Sequence, residues 1–196
     1  MAEVHAGFRT STRSLKIGRK RVLLALLHGV DPRNYDSESR QSFAQSLATE
    51  MRFVKEQYKT NRLVILGDFN MNPYDRGMNL AAGFNAMMTR KCASPGLRRH
   101  IDVDYELYYN PMWSLFGDNT EGPAGTVYDA NNQGPYGWSM FDQVVINHSI
   151  MHLFEKVEIL THAGPFPLMN NKGRPNAEQA SDHFPILVTL KEEYNE

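Results

Sequence analysis

The chain lacks several features that would assign it to a broad protein class at once. It has a single cysteine, Cys92, so no disulfide framework can form within it. Its formal net charge is -1, which provides no overall attraction to a polyanion. The longest apolar run, near residues 22–27, is too short to cross a membrane, and the N-terminus has no signal-peptide core. These absences exclude a disulfide scaffold and a membrane-spanning helix, and they favour the reducing cytoplasm.

What is present is an ordinary globular composition. The chain has 196 residues, of which 41% are hydrophobic and 22% are charged. This length fits one domain with a sizeable buried core. Because no repeat, low-complexity tract or linker divides the sequence, we predict a single domain over residues 1–196.

Hydrophobic patterning predicts a hairpin followed by a crossover. Residues 15–17 and 21–28 read as two strands with Gly18 in the turn between them. A helix follows, capped by Asp36 or Ser37 and ending near Asn61. Its predicted apolar face consists of Phe43, Leu47, Met51, Val54 and Tyr58. With a strand at 62–66, this order predicts a strand–helix–strand crossover on a sheet.

The second half of the chain is less regular. We predict a helix over 78–89, strands over 105–109, 141–146, 157–160 and 186–190, and irregular segments over 117–137 and 165–179. Long irregular segments in a compact domain are often functional, although packing by their own aromatic side chains is an equal alternative.

The most informative motif is Gly67-Asp68-Phe69-Asn70, which directly follows the apolar residues 63–66. Because side chains alternate along extended backbone, Asp68 and Asn70 are predicted to point the same way while Phe69 points into the core. A carboxylate and an amide at a strand end can hold a metal ion, a water molecule or a phosphate. A second motif, Ser181-Asp182-His183, lies at another predicted strand boundary.

Together with His28 and Asp142, these motifs occur in an order that resembles the endonuclease/exonuclease/phosphatase superfamily. The similarity runs from about residue 14 to Leu190. The resemblance implies an α+β fold, the DNase I-like four-layer αββα sandwich. It also implies a Mg²⁺-dependent phosphoester hydrolase, most simply a nuclease-like phosphodiesterase, with Mn²⁺ as an alternative ion. The substrate would be a phosphate ester, which includes nucleic acid.

The resemblance also assigns roles to individual residues. Asp68 would position or deprotonate the attacking water, and Asn70 would orient phosphate or water. His183 would be the catalytic histidine, with Asp142 fixing its tautomer and favouring its protonated form. His28 would contact phosphate. Asp182, with Asp68 and Asn70, would supply oxygen ligands to Mg²⁺.

The superfamily's N-terminal Asn and Glu motifs have no counterpart in this sequence. Glu3 is a weak substitute for the Glu, and the alternative for this segment is a frayed terminus. We therefore expect the chain to correspond to the C-terminal two-thirds of a superfamily member. A second hypothesis is a catalytically incomplete binding or scaffold subunit, or half of a split enzyme, in which an exposed sheet edge pairs with another copy or with the absent segment.

Other polar and aromatic groups have simpler explanations. His100, Asp102 and Asp104 alternate as in a polar edge strand. The basic clusters near residues 16–21, 98–100 and 172–174 are typical of solvated surfaces, with phosphate contact as the alternative. Five aromatic residues are candidates for stacking on bases, with core or loop packing favoured: Tyr108, Tyr109, Trp113, Tyr136 and Trp138.

Overall fold

The computed structural model describes residues 1–117, 120–130 and 137–192. Its strands are β1 (Ala2–Gly7), β2 (Thr10–Ile17), β3 (Lys20–His28), β4 (Leu63–Asp68), β5 (Ala86–Met87), β6 (Leu97–His100), β7 (Val103–Glu106), β8 (Tyr108–Tyr109), β9 (Val127–Tyr128), β10 (Trp138–Ser139), β11 (Asp142–Asn147), β12 (Phe154–Ile159), β13 (His162–Ala163), β14 (Phe166–Pro167) and β15 (Ile186–Leu190). The helices are α1 (Ser37–Gln57), α2 (Arg76–Asn79) and α3 (Arg90–Ala93), with 3₁₀ turns at Pro111–Leu115 and His148–Leu153. None of the helices in these ranges is both long and apolar enough to cross a membrane.

The main sheet has seven strands in the order β1-β2-β3-β4-β11-β8-β5. Strands β3 and β4 are parallel and are joined through α1, which confirms the predicted crossover. Strand β11 runs antiparallel to β4 on its other side. Strands β12 and β15 form a separate antiparallel pair, here called the ribbon.

The two faces of the main sheet bury different sets of side chains. On β3, Leu23 and Ala25 pack in the cluster that contains the buried residues of α1, whereas Val22 and Leu24 pack with the ribbon. On β4, Ile65 faces α1 and the neighbouring residues 64 and 66 face the ribbon. This alternation follows from the pleat of a strand that is buried on both faces. The layers are therefore helix, sheet and ribbon, which confirms the α+β sandwich class.

Helix α1 begins as predicted. The backbone N–H of Ser39 donates to Asp36 Oδ1 at 2.8 Å, so Asp36 is the N-cap. The predicted end near Asn61 is wrong, because the helix stops at Gln57 and Lys59 takes the left-handed conformation with φ 48°.

Three other secondary-structure predictions need correction. The helix predicted over 78–89 is limited to α2 (Arg76–Asn79); after it, Asn85 adopts φ 49° and the chain enters β5. The strand predicted over 105–109 is divided between β7 and β8. The N-terminus is not frayed, since β1 pairs with β2 and Tyr58 Oη donates to the Val4 carbonyl at 2.9 Å.

The strands predicted over 21–28, 62–66, 141–146, 157–160 and 186–190 are all present, with ends shifted by up to three residues. Residues 15–17 form only the end of β2, which begins at Thr10. Of the candidate stacking aromatics, Tyr108 is buried in the core, and Tyr136 lies outside the described residues.

Candidate active site

Three of the predicted site residues lie side by side on neighbouring strands. In the parallel pair β3–β4, His28 is directly opposite Asp68. In the antiparallel pair β4–β11, Asp142 is directly opposite Asp68 on its other side. Directly opposed residues point to the same face of a sheet. His28, Asp68 and Asp142 therefore form one row across the sheet, here called the site row.

The site row faces the ribbon. Asp68 lies on the same strand face as Val64, and Asp142 lies on the same strand face as Val144. The two valines pack in the core between sheet and ribbon. The segment before β15 brings a fourth residue to this face, because His183 contacts Asp142. The backbone of His183 also forms a bridge to Val127 of β9. Thus the ends of β3 and β4, the start of β11 and the entry to β15 meet at one edge of the sandwich.

His183 is fixed by a direct contact with the site row. Its Nδ1 lies 2.8 Å from Asp142 Oδ2. Because the carboxylate accepts, Nδ1 carries a proton and Nε2 is left facing away from Asp142. The N–H of His183 also donates to Ser181 Oγ at 3.1 Å, and Phe184 is fully buried next to it. The histidine is therefore held both by a charged partner and by its buried neighbour in sequence.

Asn70 lies beside the site row, but it is not placed there by the alternation of side chains along a strand. Strand β4 ends at Asp68, and Asn70 is left-handed with φ 51°. Its backbone N–H donates to Asp68 Oδ1 at 2.8 Å and its Nδ2 donates to Asp68 Oδ2 at 2.9 Å. Phe69 is buried beneath the row as predicted, at a ring-centroid distance of 5.0 Å from Phe84. The amide of Asn70 thus orients the carboxylate of Asp68.

The charges of these groups influence one another. Burial raises the pKa of Asp68, and the negative charge of Asp142 adds to the rise, against the opposing effects of the Asn70 N–H and of His183 and His28. Burial alone would lower the pKa of His183, but the hydrogen bond and charge of Asp142, with Asp68 and Asp182, outweigh it and raise that pKa. The arrangement favours a protonated imidazole beside two carboxylates.

His28 is the most open member of the row. Its side chain is 72% exposed, and Nε2 lies 3.8 Å from Asp68 Oδ2. The side chains of Asp68 and Asp142 are each 18% exposed and that of His183 is 28% exposed. The partly buried carboxylates and the open His28 together give a site with one solvent-facing side.

The predicted Mg²⁺ ligands do not make a cation site by themselves. In the described part of the chain, no three His, Cys, Asp or Glu side chains are grouped so that they could hold a metal ion. Both carboxylate oxygens of Asp68 already accept hydrogen bonds from Asn70, and Asp182 is exposed. Because Mg²⁺ usually keeps several waters and is bound through one or two carboxylates, its binding by Asp68, Asn70 and Asp182 stays a prediction.

Glu3 does not lie in the site. It is on β1, two strands from β3, where its carboxylate accepts from Arg13 at 2.7 Å and from Ser11 Oγ at 2.8 Å. The weak suggestion that it replaces the superfamily's metal-binding Glu finds no support in this geometry.

Several polar residues that support the site escaped the sequence analysis. Gln143 is fully buried next to Asp142; its Nε2 donates to the Met71 carbonyl and its Oε1 accepts from Asn110 Nδ2 at 2.7 Å. Asn72 Oδ1 accepts from the backbone N–H of Met140 at 2.8 Å. A glutamine within an otherwise apolar strand was the available signal, since a buried amide must be hydrogen-bonded.

The comparisons with known proteins concern the fold. No family model matches the chain, and no curated protein matches its sequence. Among solved structures it is similar to TDP2 of D. rerio in complex with a single-strand DNA product, at 14% identity over 93% of this chain and 61% of that one, with a TM-score of 0.50. Truncated Caenorhabditis elegans TDP2 matches at 17% identity over 93% and 59% of the two chains, with a TM-score of 0.48.

The catalytic domain of human Nocturnin, solved with a bound sulfate anion, matches at 15% identity over 92% of this chain and 52% of that one, with a TM-score of 0.48. The chain therefore spans between half and two-thirds of the length of these structures. The likeness to the D. rerio TDP2 structure concerns the fold alone, and this fold is the DNase I-like fold that the order of motifs implied.

Proposed function

We propose that the chain carries the phosphate-contacting half of a phosphoester hydrolase site, and that the reaction is the hydrolysis of a phosphodiester. One observation carries this proposal: His28, Asp68 and Asp142 form a single row on one sheet face, and His183 is hydrogen-bonded to the last of them. Hydrolysis of a phosphate ester requires an oriented water molecule and positive charge near the phosphoryl oxygens, and this row offers groups for both.

Each side chain has a proposed role that follows from its contacts. Asp68 accepts a proton from the attacking water, while Asn70 holds its carboxylate in place. The water oxygen forms the new bond to phosphorus, and the bond from phosphorus to the leaving oxygen breaks. The leaving oxygen keeps the electron pair of that bond and takes up a proton from solvent. The Nε2–H of protonated His183 donates to a phosphoryl oxygen as its negative charge grows. Asp142 keeps His183 in the required tautomer.

His28 has a related but more peripheral proposed role. It lies at the open side of the site row, 3.8 Å from Asp68, where it would contact a phosphate oxygen of the bound substrate. The role proposed for Asn70 as a direct contact to phosphate or water stays a prediction, because its amide is directed at Asp68.

A divalent cation remains part of the proposal, with Mg²⁺ as the first ion to test and Mn²⁺ as the second. The described side chains do not supply three ligands, so no catalytic step is assigned to the ion. Asp182, exposed next to His183, is the group we propose as a contributor to ion binding.

The proposal is tested with bis(p-nitrophenyl) phosphate and with a short single-stranded DNA, each in EDTA, Mg²⁺ and Mn²⁺. The DNA is chosen because D. rerio TDP2 was solved with a single-strand DNA product. We expect hydrolysis in at least one metal condition and a loss of about a hundredfold in kcat for His183→Ala. His100→Ala is the matched control, because His100 is exposed on β6. An inactive wild-type chain, or an active His183→Ala variant, would refute the proposal.

A further inference from the structure

The loop that follows the site row is held by a residue that lies outside all of the motifs. Arg40 is in the first turn of α1, and its Nη1 donates to the Asn70 carbonyl at 3.0 Å. The same nitrogen lies 3.5 Å from Asp75 Oδ2. The guanidinium therefore bridges the two ends of residues 70–75, here called the site loop.

The site loop is tied down on its other side as well. Asp75 Oδ2 also accepts from the backbone N–H of Asn72 at 2.9 Å, which closes the loop on itself. Asn72 and Met71 accept from Met140 and Gln143 on the β10–β11 side. Arg40 thus gives this loop a hydrogen-bonded connection to helix α1, in addition to the packing of Met71 in the core cluster of α1, while the other hydrogen bonds connect the loop to the sheet.

The residue that Arg40 contacts is conformationally demanding. Asn70 has φ 51°, a left-handed conformation that a side chain other than Gly adopts at some cost. In this conformation its backbone N–H and its Nδ2 both donate to the carboxylate of Asp68. A charged donor on the Asn70 carbonyl fixes the peptide that follows, and therefore limits the rotation of Asn70.

Stability alone is a poor explanation for Arg40. Its side chain is only 18% exposed, and its Nε is buried without a hydrogen-bond partner in the described residues. A buried, unpaired donor destabilises a fold relative to an apolar side chain of similar length. The unpaired Nε of Arg40 therefore lowers the stability of the fold, whereas its Nη1 orders the site loop.

We propose that Arg40 is a positioning residue, which acts through Asn70 to hold the carboxylate of Asp68 in its reactive orientation. This inference rests on the proposed hydrolase function for its kinetic test, but its geometric part does not. Among the described residues, the hydrogen bonds of the Arg40 guanidinium go to Asn70 and Asp75 and not to the site row, so its loss should change turnover without changing substrate contacts.

The kinetic test compares Arg40→Met with Arg33→Met on bis(p-nitrophenyl) phosphate. Methionine keeps the apolar stem and removes the donors. Arg33 is the matched control, since it is 87% exposed and pairs with Asp31. We expect Arg40→Met to lower kcat by roughly tenfold with KM changed less than about twofold, and Arg40→Lys to recover part of the loss by keeping one donor.

A double-variant cycle separates positioning from a general structural role. In an Asn70→Ala background, Arg40→Met should lower kcat by less than about twofold, because the side-chain amide that Arg40 helps to place against Asp68 is already absent. An equal loss in both backgrounds, or no loss in the single variant, would overturn the proposal. If Arg40→Met does not fold, Arg40→Lys and Arg40→Gln are compared in the same cycle.

A measurement that does not depend on turnover separates the proposed hydrolase function from the positioning role of Arg40. In ¹⁵N-labelled protein, the side-chain NH₂ resonances of Asn70, identified by their loss in Asn70→Ala, should shift in Arg40→Met and stay unchanged in Arg33→Met. If the wild-type chain hydrolyses nothing but this shift occurs, the hydrolase function fails and the positioning role stands. If the Asn70 resonances do not move, the positioning role fails whatever the activity.

Discussion

Replacement of Lys55 by methionine should remove a large part of the fold's stability. Lys55 lies on α1, is 4% exposed, and its Nζ contacts Glu106 Oε2. The same carboxylate oxygen accepts from Asn147 Nδ2 at 3.2 Å and from Tyr108 Oη at 3.4 Å. The pair joins the helix layer to β7 and β8, so the substitution leaves an uncompensated carboxylate between them.

The magnitude follows from this environment. Removal of one partner from a buried ion pair costs about 3–5 kcal/mol. The side chain of Glu106 is 21% exposed and keeps two weaker donors, which places the expected loss near the lower end, at about 3 kcal/mol. For a chain of this size, that corresponds to a fall of roughly 6–12 °C in Tm.

The assay is urea and thermal unfolding followed by far-UV circular dichroism. Lys91→Met, at an exposed position on α3, is the control and should stay within about 0.5 kcal/mol of wild type. The double variant Lys55→Met/Glu106→Gln should recover about 1–2 kcal/mol, because the unpaired charge is then absent. A loss below about 1 kcal/mol in Lys55→Met, or a double variant no more stable than the single one, would refute this reasoning.

Three further perturbations probe the site and its support. The raised pKa of His183 keeps its imidazole protonated to higher pH, so in Asp142→Asn the alkaline limb of the kcat/KM profile should move to lower pH; an unmoved limb would contradict the pairing. Gly67 has φ 146°, and a Cβ there would lie 2.0 Å from the Leu27 carbonyl oxygen, so Gly67→Ala should cost about 3 kcal/mol or more in urea unfolding. Phe69→Ala, which empties a fully buried position under the site row, should cost about 3–5 kcal/mol, whereas near-wild-type stability would mean that this ring is not in the core.

The central strands were predictable because buried strands consist mainly of apolar residues. Residues 22–27 of strand β3 and the start of β4 are apolar, as expected when both faces of a strand are covered. Helix α1 carried both an apolar face and two neighbouring capping candidates, Asp36 and Ser37, so its beginning was predictable to within one residue. These elements set the crossover and therefore the centre of the sheet.

The elements that were missed are those whose structure depends on distant partners. Strand β1 contains one large apolar side chain, Val4. It forms because its backbone pairs with that of β2. Strand β5 has two residues and exists only through its pairing with β8. In both cases tertiary pairing decides a segment whose own propensity is weak. The early helix end has a local cause instead. Lys59 adopts a left-handed conformation, which a lysine in the sequence does not predict.

The candidate site was predictable as a set of residues but not as an arrangement. Sequence order identified His28, Asp68, Asp142 and His183, yet nothing in their spacing fixes the register of three strands. The structure aligns the first three because β11 runs antiparallel to β4, so that its first residue meets the last residue of β4. Gln143, which supports this arrangement, is recognisable as a polar residue in an apolar strand, but its partners are not, because only the fold defines where the Met71 carbonyl and the Asn110 side chain lie.

Register is therefore the physical property on which the candidate site depends. Each residue of a strand points to the face opposite that of its neighbour, so a slip of one position on β11 would replace Asp142 by Gln143 on the ribbon face. That slip would bury a carboxylate against α1 and remove the partner of His183. The buried hydrogen bonds of Gln143 to Met71 and Asn110 oppose it, because they form only when Gln143 faces away from the ribbon. The same alternation that places an apolar core on both faces of the sheet thus brings the acidic and imidazole groups together at its edge.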